Sequence, residues 1–297
     1  MTQQALTLGK PRLVAAQTTR TALKAVPSPR LAEWQHFGMR VIRELSGGHQ
    51  SRTFLGEIDR RPVIVKLTNG RVVDQRTHDV QIKMMVNLSG AEPGVVGPIR
   101  HRGSYANQLG EWRAVVFPYI NGSPPDLLNK GDVTLMGHRL ATLHRATARL
   151  PPFDLATVAA LRIPGADLPA DAPFQLLHGD FSNANLLLGE DIVNVLDFDD
   201  CAYGPVEFEL GNSLFMVLFD ATLTGDMSVF EDFRRWFIDA YAAESSLQID
   251  DQRLDEMIEL RRRALRYWLD HLDQAPIGIR SSSAEWRVTL RRFAALS

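Results

Sequence analysis

The stretch "HGDFSNANLLLGEDIVNVLDFDD" (His178–Asp200) decides how this chain is read. It sets carboxylates, asparagines and a histidine among runs of Leu, Val and Ile, where a chain built only for stability avoids charge. "FQLL" before His178 reads as a strand end, "NLLL" and "IVNVLDF" read as two more strands, and "GED" reads as the turn between them. If the strands fold back about Asp191, Asn185 and Asp197 lie opposite one another. A carboxylate beside an amide oxygen makes a pair of hard oxygen donors. Mg2+ prefers such ligands, keeps several waters, and is commonly held by one or two protein groups plus the phosphates of a nucleotide. Asp180 falls at the mouth of the same hairpin, a place suited to accepting a proton from an attacking hydroxyl. Taken singly, each residue has a structural reading, since a buried Asp can cap a turn and an Asn can satisfy its own backbone. The spacing of the whole set favours chemistry.

Composition bounds the possibilities. The chain has 297 residues, 45% of them hydrophobic, enough for one large domain or two modest lobes with a packed core. A formal charge of -2 gives no general positive field for nucleic acid. A single cysteine, Cys201, excludes an internal disulfide and a Cys-based zinc cage, and suits a reducing cytoplasm. No run approaches the roughly 18 apolar residues of a membrane helix, and no signal-peptide core is present. The expectation is a soluble cytoplasmic protein, monomer or homodimer, with neither nucleic acid nor membrane as partner. Charge is uneven along the chain: residues 1–66 and 261–297 are basic, whereas 203–260 hold thirteen acids against three arginines. Such blocks are ordinarily solvated helix faces, but the acidic one also suits a cationic or polyhydroxylated ligand.

Residues 1–30 contain no acid and end in "PSPR", which reads as a flexible extension. "RVIRELSGG", "RTFLGEI" and "RPVIVKL" read as an antiparallel meander, and "VVDQRTHDVQIKMMVNLSG" as one helix closing on Gly90. "WRAVVFPYINGSPP" is a further strand running into a turn. After Asp132, taken as an N-cap, the pattern turns helical. Phe230, Phe233, Phe237 and Tyr241 share one helical face. A second stripe runs Leu254, Met257, Ile258, Leu265, Trp268, Leu269, Leu272, with Arg261 falling on it. The expected fold class is α+β in two lobes with a cleft between them: a sheet with one helix over 31–120, then a helix-rich lobe over 121–297.

His-Gly-Asp, four residues, Asn, and Asp-Phe-Asp twelve residues on, followed by "YGP" and "FELG", resembles the aminoglycoside phosphotransferase and choline kinase-like family of small-molecule kinases. The resemblance implies a bilobal protein-kinase-like fold and phosphoryl transfer, in which the protein chiefly positions groups and neutralises charge. Carried over, it implies that Asp180 orients the acceptor hydroxyl as base, that Asn185 and Asp197 bind Mg2+, that Asp199 serves a second metal, and that His178 supports the catalytic loop. Lys66 in "VIVKL" matches the family's phosphate-binding lysine. "LSGGHQSRTF", with Gly47, Gly48 and Ser51, occupies the place of its phosphate-covering loop. "VVFPYING" stands at the hinge, where the backbone of Pro118 to Ile120 meets adenine between Phe117 and Tyr119.

One departure stands out. The family's first-lobe helix carries a glutamate that pairs with the strand lysine; here the helix offers Asp74, Asp79 and Gln81, and Gln81 falls in the glutamate's place. His144 in "ATLHRAT" reads as a satisfied core histidine and Cys201 as small and buried. The expected reaction moves the γ-phosphoryl of ATP or GTP to a hydroxyl of a small molecule. The acidic block favours a cationic acceptor such as an aminoglycoside-like antibiotic, another amino sugar or an amino alcohol. The alternatives are a bacterial protein serine/threonine kinase of the same superfamily and a nucleotide-binding regulator without catalysis.

Overall fold

A computed structural model of the chain describes residues 28–45, 51–70, 73–158, 174–245, 247–280 and 282–296. Residues 1–27 of the expected extension, and Gly47 and Gly48 of the expected phosphate-covering loop, lie outside the described residues. The chain is α+β and divides into two compact units. One comprises residues 1–73, 100–116 and 265–297, the other 74–99 and 117–264.

The first unit is built on a five-stranded sheet. Its strands are β1 (Arg40–Leu45), β2 (Ser51–Ile58), β3 (Arg61–Thr68), β4 (Ala106–Leu109) and β5 (Trp112–Pro118), in the order β1-β2-β3-β5-β4. The pairs β1–β2, β2–β3 and β4–β5 are antiparallel, so the meander read from the sequence is present. Alternation places Val63, Val65 and Leu67 of β3 in the core and turns Ile64 and Lys66 to the other face. Two elements were not anticipated. Helix α1 (Leu31–Phe37) is one of them, and it buries Trp34 and Phe37 against Phe54, Leu67 and Trp112. Seven residues are too few to show a helical period, so this helix rests on that burial, about 1.5–3 kcal/mol for each large apolar side chain. Strand β4 has only four residues, half of them polar, and gives no alternating signal of its own.

The second unit is mainly helical. Helix α2 (Gln75–Ala91) is capped by Asp74, whose carboxylate accepts from the Arg76 and Thr77 N–H groups. Helix α3 (Lys130–Thr147) starts two residues before the expected cap. Its N-cap is Asn129, accepting from the Gly131 and Asp132 N–H groups, while Asp132 accepts from the N–H of Asp126. The strands β6 (Phe174–Leu177) and β9 (Ala202–Pro205) pair, as do β7 (Leu186–Leu188) and β8 (Val193–Val195). Helices α4 (Val206–Thr224) and α5 (Met227–Glu244) follow, then α6 (Asp251–Asp270). Helices α3 and α5 meet at Gly137, where a Cβ would lie 2.5 Å from the Phe237 carbonyl oxygen, so only glycine permits this approach. Phe230, Phe233, Phe237 and Tyr241 are all buried, as their stripe predicts. So are the apolar residues of the α6 stripe through Leu269. Helices α7 (Ile277–Arg280) and α8 (Ala284–Ala294) complete the described elements and belong to the first unit.

Candidate active site

The quoted stretch folds as a hairpin, but one residue out of the expected register. Leu186 pairs with Val195, Leu187 with Asn194 and Leu188 with Val193. The Gly189 N–H donates to the Ile192 carbonyl at 2.9 Å, which leaves a two-residue turn at Glu190–Asp191 rather than a pivot on Asp191. Asn185 therefore faces Leu196, whose N–H donates to the Asn185 carbonyl at 2.8 Å, and Asp197 is the next residue along. At Asp197 the chain turns into the left-handed region, with φ 60°.

Asn185 closes a short 3-10 turn (Asn183–Asn185) and is tied directly to Asp180. Its amide nitrogen donates to the Asp180 carbonyl at 2.9 Å and to the Asp180 carboxylate at 2.8 Å. The amide oxygen is thereby turned away from Asp180. The Asp197 carboxylate accepts from the Asp199 N–H at 3.3 Å, and the Asp199 carbonyl accepts from the side chain of Gln81 on α2 at 2.9 Å. Gln81 on α2 thus binds the backbone of the acidic loop.

His178 is fully buried and works through both ring nitrogens. The Asp180 N–H donates to Nδ1 at 3.2 Å, which makes Nε2 the donor to the Leu196 carbonyl at 2.8 Å. Its ring packs on Phe181 and Phe198, with centroids 6.1 and 4.5 Å away. Gly179 explains the glycine of His-Gly-Asp: its φ is 84°, and a Cβ there would lie 1.9 Å from the Asp200 carbonyl oxygen. The loop of Asp180 and the loop of Asp197–Asp200 can approach this closely only because Gly179 has no side chain.

The sequence reading missed the residues that hold this turn from behind. Glu209, Asn212 and Ser213 lie on one face of α4, at positions i, i+3 and i+4. Glu209 is fully buried and accepts from the N–H groups of His178 (2.9 Å) and Gly179 (2.5 Å) and from the His144 ring (2.9 Å). Asn212 donates to the Gly179 carbonyl at 3.1 Å and Ser213 to the Phe181 carbonyl at 2.7 Å. Burial is the largest influence on the Glu209 carboxyl and acts to raise its pKa. The His144 hydrogen bond, nearby His144 and His178, and the His178 N–H outweigh it and hold the pKa below the ordinary 4.5. The signal that could have found these residues is three polar side chains on one face of an otherwise apolar helix.

His144 has both nitrogens bonded, Nε2 to Glu209 and Nδ1 to the Tyr241 hydroxyl at 2.9 Å. Burial, helped by Glu209 and Glu207, raises the Tyr241 pKa and keeps its hydroxyl protonated and able to donate to Nδ1. Nε2–H then donates to Glu209, and all three groups are satisfied. Cys201 is buried, and its thiol is pushed up first by burial and then by Asp199, Asp200 and Glu209, which keeps it from acting as a nucleophile. The Arg261 guanidinium lies over the Phe215 ring, 5.4 Å from its centroid.

In the first unit, Lys66 is half-buried on β3 opposite Thr53, and Ser51 is buried at the start of β2 opposite Thr68. Phe117 is half-buried and Tyr119, just past β5, is exposed. The segment after Tyr119 docks on β7, with paired bonds between Ser123 and Leu188. Among the described residues no three His, Cys, Asp or Glu side chains converge in the manner of a metal cage, and no helix is long and apolar enough to cross a membrane. The oxygen donors present are the Asn185 amide and the Asp197 and Asp199 carboxylates. Hard oxygen donors of this kind are what an ion of the magnesium type takes, few at a time, with water and phosphate completing its shell.

A family model described as "Phosphotransferase enzyme family" matches residues 152–247, which contain the hairpin, α4 and α5. A search of curated proteins returns no match. Solved structures with the same fold include an amicoumacin kinase in complex with AMP-PNP and Ca2+, at 15% identity and a TM-score of 0.66, covering 96% of this chain and 94% of that one. A microcompartment-associated aminopropanol kinase matches at 18% identity and 0.65, over 89% and 94% of the two chains. An aminoglycoside phosphotransferase with ADP and hygromycin B matches at 13% identity and 0.54, over 89% and 98%. At such identities the likeness shows the fold. The matched segment is that of a phosphotransferase family model, and the fold is one that these kinase structures share.

Proposed function

We propose that this chain transfers the γ-phosphoryl of ATP, or of GTP, to a hydroxyl of a small molecule, and that the acceptor is an aminoglycoside-like antibiotic or another amino sugar or amino alcohol. The observation that carries this reading is the Asn185–Asp180 pair, in which one amide holds the Asp180 carboxylate in place and turns its own oxygen away. Asp180 accepts the hydroxyl proton as the acceptor attacks. Asn185, Asp197 and Asp199 hold Mg2+, which supplies charge neutralisation at the phosphates. Lys66 on β3 and Ser51 at the start of β2 bind phosphate. Phe117 and Tyr119 flank the nucleotide base. His178 takes no part in the chemistry and fixes the backbone of Asp180.

The acceptor class is supported by the amine-bearing ligands named for the structural neighbours and by the acidic block at 203–260. A protein kinase is disfavoured because only Cys201 separates Asp200 from β9, and α4 follows β9 at once, leaving no stretch for an activation segment. The decisive experiment is ADP release with ATP and GTP against amino sugars, amino alcohols, homoserine and nucleosides, with Asp180→Asn alongside. The expected result is turnover with one acceptor class and a loss of about 10^2–10^4-fold in Asp180→Asn. Identical behaviour of the two proteins across the panel would sink the enzyme reading and leave a nucleotide-binding regulator.

A further inference from the structure

We propose that Gln81 is a positioning residue for the metal loop, acting through the backbone of Asp199 and not as the partner of a lysine. The inference rests on the reading of Asp197 and Asp199 as metal ligands given above. Gln81 is only 7% exposed and lies on the buried face of α2 with His78, Ile82, Met85 and Leu88. A buried amide of this kind has to be hydrogen-bonded or its burial is costly. Its nitrogen donates to the Asp199 carbonyl at 2.9 Å, across 118 residues of sequence. A glutamate in the same place would be an acceptor only and could not make this bond.

The loop that receives the bond needs such a fixture. Asp197 sits at φ 60°, a conformation a non-glycine residue holds only when its surroundings over-determine it. The Asp199 N–H is already used by the Asp197 carboxylate, so the Gln81 bond fixes the other end of the same residue. Asp200 is pressed against Gly179, and the Cys201 N–H returns to the Phe198 carbonyl at 3.3 Å. Within Asp197–Asp200, Gln81 is a fixture that comes from α2, and it grips the chain at the carbonyl of Asp199, next to the residue packed on Gly179. A residue that orients metal ligands without touching the metal acts on metal affinity more than on nucleotide affinity.

The test compares wild type with Gln81→Met, which keeps length and burial but cannot donate, and Gln81→Glu, which keeps shape but is acceptor-only. AMP-PNP binding is measured by calorimetry over a magnesium titration and again in EDTA, with thermal melting as a check of folding. Both variants are expected to need about 10-fold more magnesium for the same nucleotide affinity, with binding in EDTA unchanged. A wild-type magnesium dependence in either folded variant overturns the proposal. So does an equal loss with and without magnesium, which marks a merely structural role. Should Gln81→Met not fold, Gln81→Glu carries the same reading. Asp197→Asn separates the two levels: if it leaves magnesium dependence untouched, the metal-ligand assignment falls; if it abolishes that dependence while the Gln81 variants match wild type, only the positioning role falls.

Discussion

The backbone of Asp200 passes so close to Gly179 that a Cβ on the glycine would sit 1.9 Å from the Asp200 carbonyl oxygen. Gly179→Ala has to move one loop off the other and also hold alanine at φ 84°. The expected cost is about 2–4 kcal/mol of stability, read by chemical denaturation, with phosphoryl transfer lost even under conditions where the variant is folded.

Glu209 offers the clearest link between pH and stability. Its folded pKa lies below the ordinary 4.5, so the unfolded chain binds the proton more readily. The contribution is fully present above 4.5, declines as pH falls through that value, and is gone below the lower folded pKa. Glu209→Gln is expected to flatten this acid limb in denaturant midpoints measured from pH 6 downward. At neutral pH the same variant is expected to lose about 3–5 kcal/mol, because a group that accepts three donors in a buried site is not replaced by an amide.

Asn129→Ala and Asp132→Ala differ in kind. Asn129 caps α3, so its loss is expected to cost about 1 kcal/mol by thermal or urea unfolding with the magnesium dependence of nucleotide binding unchanged. Asp132 bonds the Asp126 N–H in the approach to the helix, and its replacement is expected to leave helix content by circular dichroism as it was.

His178→Phe keeps an aromatic ring against Phe181 and Phe198 but removes the bonds to Asp180 and Leu196. The expected outcome is a folded protein whose kcat falls more than its KM for nucleotide rises, measured in the acceptor assay once an acceptor is found. A proportionate loss of nucleotide affinity would instead place His178 in binding.

These variants also mark where the sequence is legible. The meander, α2, the aromatic stripe of α5 and the α6 stripe are visible because each carries a period that one buried face imposes. The hairpin was visible, but its register was not. A pivot on Asp191 and a turn at Glu190–Asp191 differ by one residue and have the same apolar pattern, and only the hydrogen bonds between strands choose Leu196 over Asp197 as the neighbour of Asn185. Glu209 binds residues 30 and 31 positions earlier and His144 65 positions earlier, a relation no local pattern encodes. Gln81 could be aligned with a family position but not assigned its partner, because the identity of a side chain says nothing about which distant carbonyl it will meet.

The β7–β8 hairpin is bordered on both sides. Ser123 exchanges bonds with Leu188 on one edge, and on the other Val195 donates to Gly94 and accepts from Val96. Three-residue strands are ordinarily too short to hold their alignment, yet this pair cannot slide without breaking both borders at once. The span from Asn185 to Asp197 is consequently a fixed gauge set by backbone, while the Glu190–Asp191 tip is exposed and outside it. Changes of length or charge at that tip can accumulate without altering the gauge, so the chain has one place beside its candidate chemistry where it is at liberty to vary.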